Sequence, residues 1–533
     1  MPALAAPQRE LEEGAVARPA IVAAVDPTQA AARIGIWRAS DDEFRTWLSG
    51  GIAPAAALRR LALRRWSAGN PGLASVMLAT SASLDPERPE VWRELGFTLQ
   101  ASGETRQAVL ALRRSLALDP SLARGWLALG LAANQVGETE LAEEAFGAAL
   151  ERDPGLSEAA FGLGLIAFDQ RRYGPAAQAF RRALALGAEA PLARIGLGQS
   201  LFFLGEFAAA AAELRVAVAG GFVETSILRR AALCAYLAAA CERDLERADR
   251  DYLEIAGSDA EDLEKVAFSA FRILVGYDRC DEALALAGAR MPGREVDPVQ
   301  RYLVAAAAGA PCVRAPDEFV VAHFDAFAEE FDRQLVDVLG YRAPQQLLEL
   351  VEAAGRPLPR VLDLGCGTGL AGPLLRAGRE RLVGVDLSPR MLDKANGRQV
   401  YDELVEAEFV GYLRQTQERF DLLFAADALI YIGDLSTVFA CAARVTSPGA
   451  LFAFNIETTE AGPFELKPSG RFAHELARLS ELAGPWFRVR SFRRAALRRE
   501  GLSEARGALV VMERRGGASR AQIPTPAPAI LAA

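Results

Sequence analysis

Val-Leu-Asp-Leu-Gly-Cys-Gly-Thr-Gly at 361–369 and Asp386, which closes the apolar run Arg381-Leu-Val-Gly-Val-Asp, are the residues whose types and spacing point most directly to chemistry. Val361–Leu364 is short and apolar enough for a buried strand, and Gly365, Gly367 and Gly369 then turn it toward a helix. Glycine suits such a turn because a Cβ would keep the backbone from closing against a ligand. An acid about 20 positions further on suits a carboxylate that grips two ribose hydroxyls. A dinucleotide site is the competing reading. There the turn cradles a pyrophosphate and reads G-x-G-x-x-G, whereas here the text is D-x-G-x-G-x-G, with Asp363 beside the loop. A carboxylate there repels phosphate and favours a cation.

The segment resembles motif I of class I S-adenosylmethionine-dependent methyltransferases, and Asp386 matches their ribose-binding acid. The text His323-Phe-Asp-Ala-Phe-Ala-Glu-Glu-Phe-Asp-Arg-Gln-Leu, followed by Leu339-Gly-Tyr-Arg-Ala-Pro, is more specific. It resembles a bacterial family of methyltransferases that carry tetratricopeptide repeats. The resemblance implies an α/β Rossmann-like class I methyltransferase domain with S-adenosyl-L-methionine as cofactor. It places Asp363, Gly365, Cys366, Gly367, Gly369, Asp386, Leu387, Glu408, Phe409 and Ala425 around that cofactor. Glu408 stands where the family usually has Asp, accepting a bond from the adenine amino group, and Phe409 would offer its N–H to the ring. Ala425-Ala-Asp-Ala-Leu-Ile-Tyr-Ile-Gly-Asp resembles motif IV, which turns Asp427 and Tyr431 toward the cleft. It lacks the [DN]-P-P-[YF] text of amide and adenine N-methyltransferases. Leu466-Lys-Pro-Ser-Gly-Arg-Phe-Ala-His resembles a further family segment, a loop entering a helix, from which Ser469, Arg471 and His474 could reach the substrate. Asp427, Tyr431 and His474 are the candidate catalytic residues; each also has a plain structural reading.

The elements that position these residues alternate. Strands are expected at Val361–Leu364, Leu382–Val385, Leu404–Glu406, Phe420–Ala425, Ala450–Ile456, Phe487–Phe492 and Ala508–Met512. Helices are expected near 369–377, after the Ser388 N-cap with Pro389 at N1, and at 435–445 and 471–481. Such alternation makes a mostly parallel sheet covered on both faces, with ligand at the strand C-termini. Phe319–Leu339 reads as one long helix lying over the cleft as a lid, with Phe324, Phe327 and Phe331 either on its inner face or simply in the core. Tyr341 and Arg342 begin the approach to the next helix. The basic stretch Arg488 to Arg499 reads as a solvated strand edge rather than an anion site.

The N-terminal half repeats itself. Trp92 and Trp126 are 34 apart, and Gly96, Gly130, Gly164 and Gly198 follow the same step, as do Ala74, Ala108, Ala142, Ala176 and Ala210. This is the tetratricopeptide period. Small residues let two helices approach, Leu112, Phe146, Phe180 and Leu214 fill the layer between units, and Pro86, Pro120 and Pro154 end three of the units. Five units are readable between about Ala55 and Gly221. Trp92, Trp126, Phe161 and Tyr173 either pack between helices or face a ligand. The expected fold is therefore an α-helical tetratricopeptide solenoid followed by the methyltransferase domain: 1–40 disordered or irregular, 41–221 repeats, 222–310 degenerate or capping helical repeats, 311–316 a linker, 317–515 the catalytic domain and 516–533 a disordered tail.

Length, charge and cysteines narrow the function. A chain of 533 residues holds two or three domains. Net charge −9 argues against a nucleic-acid substrate. The six cysteines, at 234, 241, 280, 312, 366 and 441, form no C-x-x-C pair, and only His323 and His474 are present, so no metal is expected. Reduced thiols point to the cytoplasm. No secretory signal or membrane span is read. An exposed solenoid face most often holds a protein or peptide, so the leading expectation is a methyltransferase whose repeats dock a protein substrate or partner. Two alternatives stay open: a small-molecule methyltransferase whose repeats localise or oligomerise it, and a cofactor-binding scaffold without turnover.

Overall fold

The computed structural model describes residues 33–516 apart from Ile36, 39–40, 189, 223, 334, 336–339 and 501–502, and leaves the side chains of 190, 294 and 498–504 undescribed. Of the start expected to be disordered or irregular (1–40), residues 1–32 lie outside the described residues, as does the expected tail beyond Gly516. The chain divides into two compact units. One runs to Ala235 and includes Ile255–Asp259, and the other comprises Tyr236–Glu254 and the residues from Ala260 onward.

The first unit is built of helix pairs. Pro54–Ser67 pairs with Pro71–Leu84, and the 34-residue step then gives Pro89–Ala101 with Thr105–Leu118, Ala123–Gln135 with Thr139–Arg152, Ser157–Asp169 with Tyr173–Ala185, and Ala190–Phe203 with Phe207–Ala219. The repeated glycines explain the step. A Cβ on Gly130 would lie 2.6 Å from the Phe146 ring, and one on Gly162, in the next unit, would also lie 2.6 Å from it. Gly164 and Gly196 clamp Phe180 in the same way, at 2.7 and 2.5 Å. Each large residue thus occupies the space two glycines leave, with Phe146 and Phe180 at 0% exposure. Trp92 and Trp126 are half-buried against the core, and their indole N–H groups donate to Pro86 O (2.8 Å) and Pro120 O (2.9 Å). Phe161 lies 5.7 Å from Phe180, and Tyr173 stacks on Phe203 at 4.4 Å. All four aromatics therefore have packing partners within the array.

The second unit holds the sheet. Its strands are β1 (Arg360–Leu364), β2 (Arg381–Asp386), β3 (Glu403–Glu406), β4 (Phe420–Ala425), β5 (Thr446–Thr458), β6 (Phe464–Leu466), β7 (Phe472–His474), β8 (Phe487–Glu500) and β9 (Ser503–Arg514). Their order is β3-β2-β1-β4-β5-β7-β6, and β9 pairs antiparallel with both β5 and β8. The strands β3 to β5 run parallel, so the chain reverses its strand order between β1 and β4. That is where a doubly wound sheet leaves a crevice at its strand ends. One face is covered by Phe409–Gln415, Ser436–Arg444 and Leu476–Ala483, and the other by Ala343–Glu352 and Gly372–Arg376.

Three expectations differ from the structure. The segment expected to enter a helix at Arg471 is instead a β6–β7 hairpin, and the helix begins at Leu476. Ser469 therefore sits in the hairpin turn and caps no helix. The last two strands are longer than expected because β8 absorbs the arginine stretch: Arg488 and Arg490 pair with Glu513 at 3.2 and 2.8 Å, and Arg493 pairs with Glu349 at 3.2 Å. Residues 311–316, expected as a linker, form a strap on the sheet unit. Ala315 N–H donates to Tyr431 O (2.8 Å), Gly433 N–H donates to Val313 O (2.8 Å), and Cys312 and Ala315 are buried. The helices Leu263–Gly276, Cys280–Arg290 and Pro298–Ala307 belong to this same unit.

Candidate active site

The glycine loop follows β1 directly. Gly365, Gly367 and Gly369 have φ of +67°, +55° and +76°, a region that side chains with a Cβ rarely adopt. Gly365 and Cys366 donate their N–H groups to Val385 O at 2.8 and 3.1 Å, which folds the loop onto the end of β2. A Cβ on Gly365 would meet Ala428 at 2.7 Å, whereas one on Gly367 would meet nothing nearer than Phe331 at 3.9 Å. The loop's backbone at Gly367 thus faces open space under Phe331.

Asp386, at the end of β2, is locked to this loop. Its Oδ2 accepts from Gly367 N–H at 2.8 Å and its Oδ1 from Ser388 N–H at 2.9 Å. Burial pushes its pKa up, opposed by these backbone donors. Each oxygen keeps a second lone pair, so the carboxylate can still accept from a ligand. Leu387 follows it, half-buried. Glu408 caps the Phe409–Gln415 helix, with Oε1 accepting from Val410 N–H (3.0 Å) and Oε2 from Gly411 N–H (2.7 Å). Phe409 begins that helix and packs against the core, and Ala425 ends β4 fully buried.

Asp363 lies deeper than its sequence position suggests. It is 1% exposed and accepts from the Tyr401 hydroxyl at 2.8 Å. Desolvation pushes its pKa up to about 7, with Tyr401 opposing and the Asp386 charge adding. In this conformation it supports the loop from beneath and does not meet a ligand directly. Cys366 is likewise buried, and a Cβ on Gly384 would lie 3.0 Å from its sulfur. Only its backbone can face the crevice.

At the end of β4, Asp427 adopts φ +55° and is held there by Asn455 on β5. The Asp427 N–H donates to Asn455 Oδ1 at 2.8 Å, and Asn455 Nδ2 donates back to Asp427 Oδ1. A non-glycine residue held in a sparsely populated backbone region is a pointer to function. Tyr431 lies in the short turn Leu429–Tyr431, half-buried, with its ring 5.5 Å from Phe324 and 6.4 Å from Phe319. His474 stands apart from this cluster. It is 1% exposed, its Nε2–H donates to Ile432 O at 2.8 Å, and its Nδ1 has no hydrogen-bond partner among the described residues. Burial pushes its pKa down to about 4. It pins the turn that follows β4 and stays sealed from solvent, which is a poor position for a proton acceptor.

The expected lid is two helical pieces, Asp317–Phe327 and Phe331–Arg333. Acidic side chains latch it to the site. Asp325 accepts from the Ser388 hydroxyl (2.5 Å), Glu329 pairs with Lys394 (2.5 Å), and Asp332 accepts from both the Thr368 hydroxyl and the Arg398 guanidinium. Arg398 also donates to Thr368 O at 2.6 Å. Sequence reasoning missed Asn455, Tyr401 and these acids. Asn455 alone left a local trace, a single amide inside the apolar run Leu451–Ile456.

A family model described as "Methyltransferase domain" matches residues 362–454. A "Tetratricopeptide repeat" model matches 93–157, 127–191 and 161–222. Among curated proteins, a malonyl-[acyl-carrier protein] O-methyltransferase of Halorhodospira halophila is 37% identical over 130 residues, 24% of this chain and 43% of that protein. A trans-aconitate 2-methyltransferase of Paracidovorax citrulli is 30% identical over 128 residues, 24% of this chain and 46% of that protein. The chain thus spans less than half the length of these relatives. A solved magnesium protoporphyrin IX methyltransferase from Synechocystis PCC 6803 with bound SAH aligns at 16% identity, over 38% of this chain and 99% of that one, with a TM-score of 0.31.

Proposed function

From a chain that joins tetratricopeptide repeats to a methyltransferase domain, we propose an S-adenosylmethionine-dependent methyltransferase whose repeats dock a protein substrate or partner. One observation carries the reading: a loop of three positive-φ glycines closed onto Asp386, which holds Gly367 N–H at 2.8 Å. The residues present fit the cofactor. Gly365, Gly367 and Gly369 give the loop its left-handed turns, Gly367 leaves the backbone open to a ligand, Asp386 has lone pairs for two ribose hydroxyls, and Glu408 and Phe409 would flank the adenine. When bound, S-adenosylmethionine supplies a methyl group on a positively charged sulfur. The chain's own residues supply position and shielding. Phe324, Phe327 and Phe331 on the latched lid exclude water, and Asn455 holds Asp427 at the strand end. A hydroxyl or ammonium acceptor must lose a proton, and Asp427 and Tyr431, at the end of β4, are the groups we propose to take it; a carboxylate acceptor needs no base.

Calorimetry tests the cofactor. S-adenosylhomocysteine is expected to bind with a micromolar dissociation constant, roughly 8 kcal/mol. Tight binding of a nicotinamide dinucleotide in its place overturns the reading. Labelled-methyl transfer in cell lysate, using the full chain, tests the acceptor, and a discrete labelled protein band is the expected result. The second reading, a small-molecule acceptor, is favoured by the free acid in the name of one relative, and labelling of metabolites alone would establish it. Cofactor binding with no methyl incorporation would leave the scaffold reading.

A further inference from the structure

Acids recur along the lid at Asp325, Glu329 and Asp332, steps of four and three that keep them on one side of a helical segment. Their partners are just as ordered. Asp325 meets the start of the Pro389–Gly397 helix, where it accepts from the Ser388 hydroxyl at 2.5 Å and from Arg390 N–H at 3.3 Å. Glu329 pairs with Lys394, inside that helix, at 2.5 Å. Asp332 accepts from Arg398, which follows the helix as its C-cap, and from the Thr368 hydroxyl. The lid therefore runs alongside this helix in the same direction, held at its start, its middle and its end.

The points it is held to are parts of the cofactor site. Thr368 lies inside the glycine loop, between Gly367 and Gly369. Ser388 donates its N–H to Asp386 at 2.9 Å, and its hydroxyl oxygen accepts from Met391 N–H at 3.1 Å. Both hydroxyl residues are buried. Phe331, next to Asp332, is what the open side of Gly367 faces, at 3.9 Å. A ligand set against the Gly367 backbone therefore lies beneath the lid. The ionic part of the fastening stands in water, with the Glu329 and Lys394 side chains 65% and 41% exposed. Exposed pairs are individually weak and are screened by salt. The lid is thus closed over the loop by bonds that thermal motion can break.

We propose that Asp325, Glu329 and Asp332 form a latch that governs cofactor exchange: the lid opens each time S-adenosylmethionine enters or S-adenosylhomocysteine leaves, and the latch sets how often. The latch rests on the cofactor reading given above and adds to it a control of rate. Every latch bond joins two groups of the chain, so it forms alike with the site filled or empty. A contact that is equal in two states shifts no equilibrium between them. Weakening the latch therefore speeds arrival and departure together and leaves affinity where it was.

Stopped-flow association and dissociation of S-adenosylhomocysteine on the full chain test this. That molecule has no net charge near neutral pH, so salt acts chiefly on the latch. Asp332→Asn should raise both rate constants about tenfold, through the loss of charge-assisted bonds, and Glu329→Gln about two- to threefold. The dissociation constant should stay within about threefold in both variants. A rise of about tenfold in ionic strength should speed both rates in the wild type. Glu329→Lys should also raise both rates, and adding Lys394→Glu should return them toward wild type, a rescue that a misfolded variant does not show. Hydrogen exchange across residues 317–333, followed in the same chains without cofactor, should quicken in step with the rates. Rates insensitive to salt and to Asp332→Asn overturn the proposal. So does faster dissociation with association unchanged, which would make these acids contacts of the ligand. Failure of the wild type to bind S-adenosylhomocysteine is a separate result: it overturns the cofactor reading, and the latch falls with it.

Discussion

Glycine is used in two opposite ways in the two units. In the helical array Gly130 and Gly162 sit in ordinary helical backbone, and what they provide is space, since both face the Phe146 ring at 2.6 Å. In the sheet unit Gly367 faces nothing within 3.9 Å, and what it provides is backbone geometry, φ +55°. The first pattern stabilises, because space left empty on one helix is filled by the next. The second stabilises nothing by itself and leaves open backbone beside buried charge. The array is thus internally satisfied, and the site is held in a state that a ligand would complete.

If that contrast is right, the site should carry a stability cost that the array lacks, and Asp363 should show it most strongly. Its folded pKa, pushed up to about 7, exceeds the ordinary carboxylate value of 3.8. The native state therefore binds this proton more tightly than the unfolded chain does. Stability from this group is full below about pH 4 and is lost as pH rises toward 7. Asp363→Asn keeps an acceptor for Tyr401 and removes the charge. Without cofactor it should be more stable than wild type by up to about 4 kcal/mol at pH 8, with the gap closing below about pH 4. Denaturant titrations at the two pH values check it, and a gap independent of pH would break the argument.

Cofactor binding gives the next largest effect. Asp386→Ala removes the carboxylate that holds Gly367 and that we propose grips the ribose, and should weaken S-adenosylhomocysteine by about 1.5–3 kcal/mol. Calorimetry on the folded variant measures it. An unchanged affinity would detach Asp386 from the cofactor.

These residues differ in how visible they were in the sequence. The loop and Asp386 were legible because neighbours in sequence do the work, and the array was legible because Gly96, Gly130, Gly164 and Gly198 repeat one contact at one spacing. The alternation of β1 to β5 with helices was legible for the same reason. The support of the site was not. Tyr401 meets Asp363 across 38 positions and Asn455 meets Asp427 across 28, and no local period encodes such pairs. The β6–β7 hairpin escaped because three-residue strands are too short to show alternation. The full length of β8 escaped because its arginines find Glu513 and Glu349 on other elements.

In the array, the same glycine-to-alanine change should act through packing. Gly130→Ala places a methyl against a ring that Gly162 already confines from the other side. Overpacking of this kind costs about 1–3 kcal/mol. Thermal unfolding should move down while S-adenosylhomocysteine affinity is untouched. In Gly367→Ala the order should reverse, with affinity lost and the melting transition shifted only by backbone strain, about 1–2 kcal/mol. Equal effects of both variants on both measurements would erase the distinction between the units.

The smallest effect tests the rule from inside the array. The turns joining paired helices place Gly69, Gly103, Gly137 and Gly205 at φ of +81°, +83°, +81° and +76°. The 34-residue step puts Arg171 between the last two, and it adopts the same left-handed conformation, at φ +60°. Here the array departs from its own pattern. A Cβ added to Gly69, Gly103 or Gly137 would meet nothing within 4 Å, so what Arg171 loses is conformational, not steric. The left-handed region costs a side-chain-bearing residue about 1–2 kcal/mol, partly offset by the greater freedom glycine has in the unfolded chain. Arg171→Gly should therefore stabilise the protein by up to roughly 1 kcal/mol, read as a small rise in the denaturant midpoint with an unchanged slope. A loss of stability would mean that the Arg171 side chain contributes more through its own contacts than its backbone strain costs. The turn would then be a place where the array, like the glycine loop, accepts strain for something else.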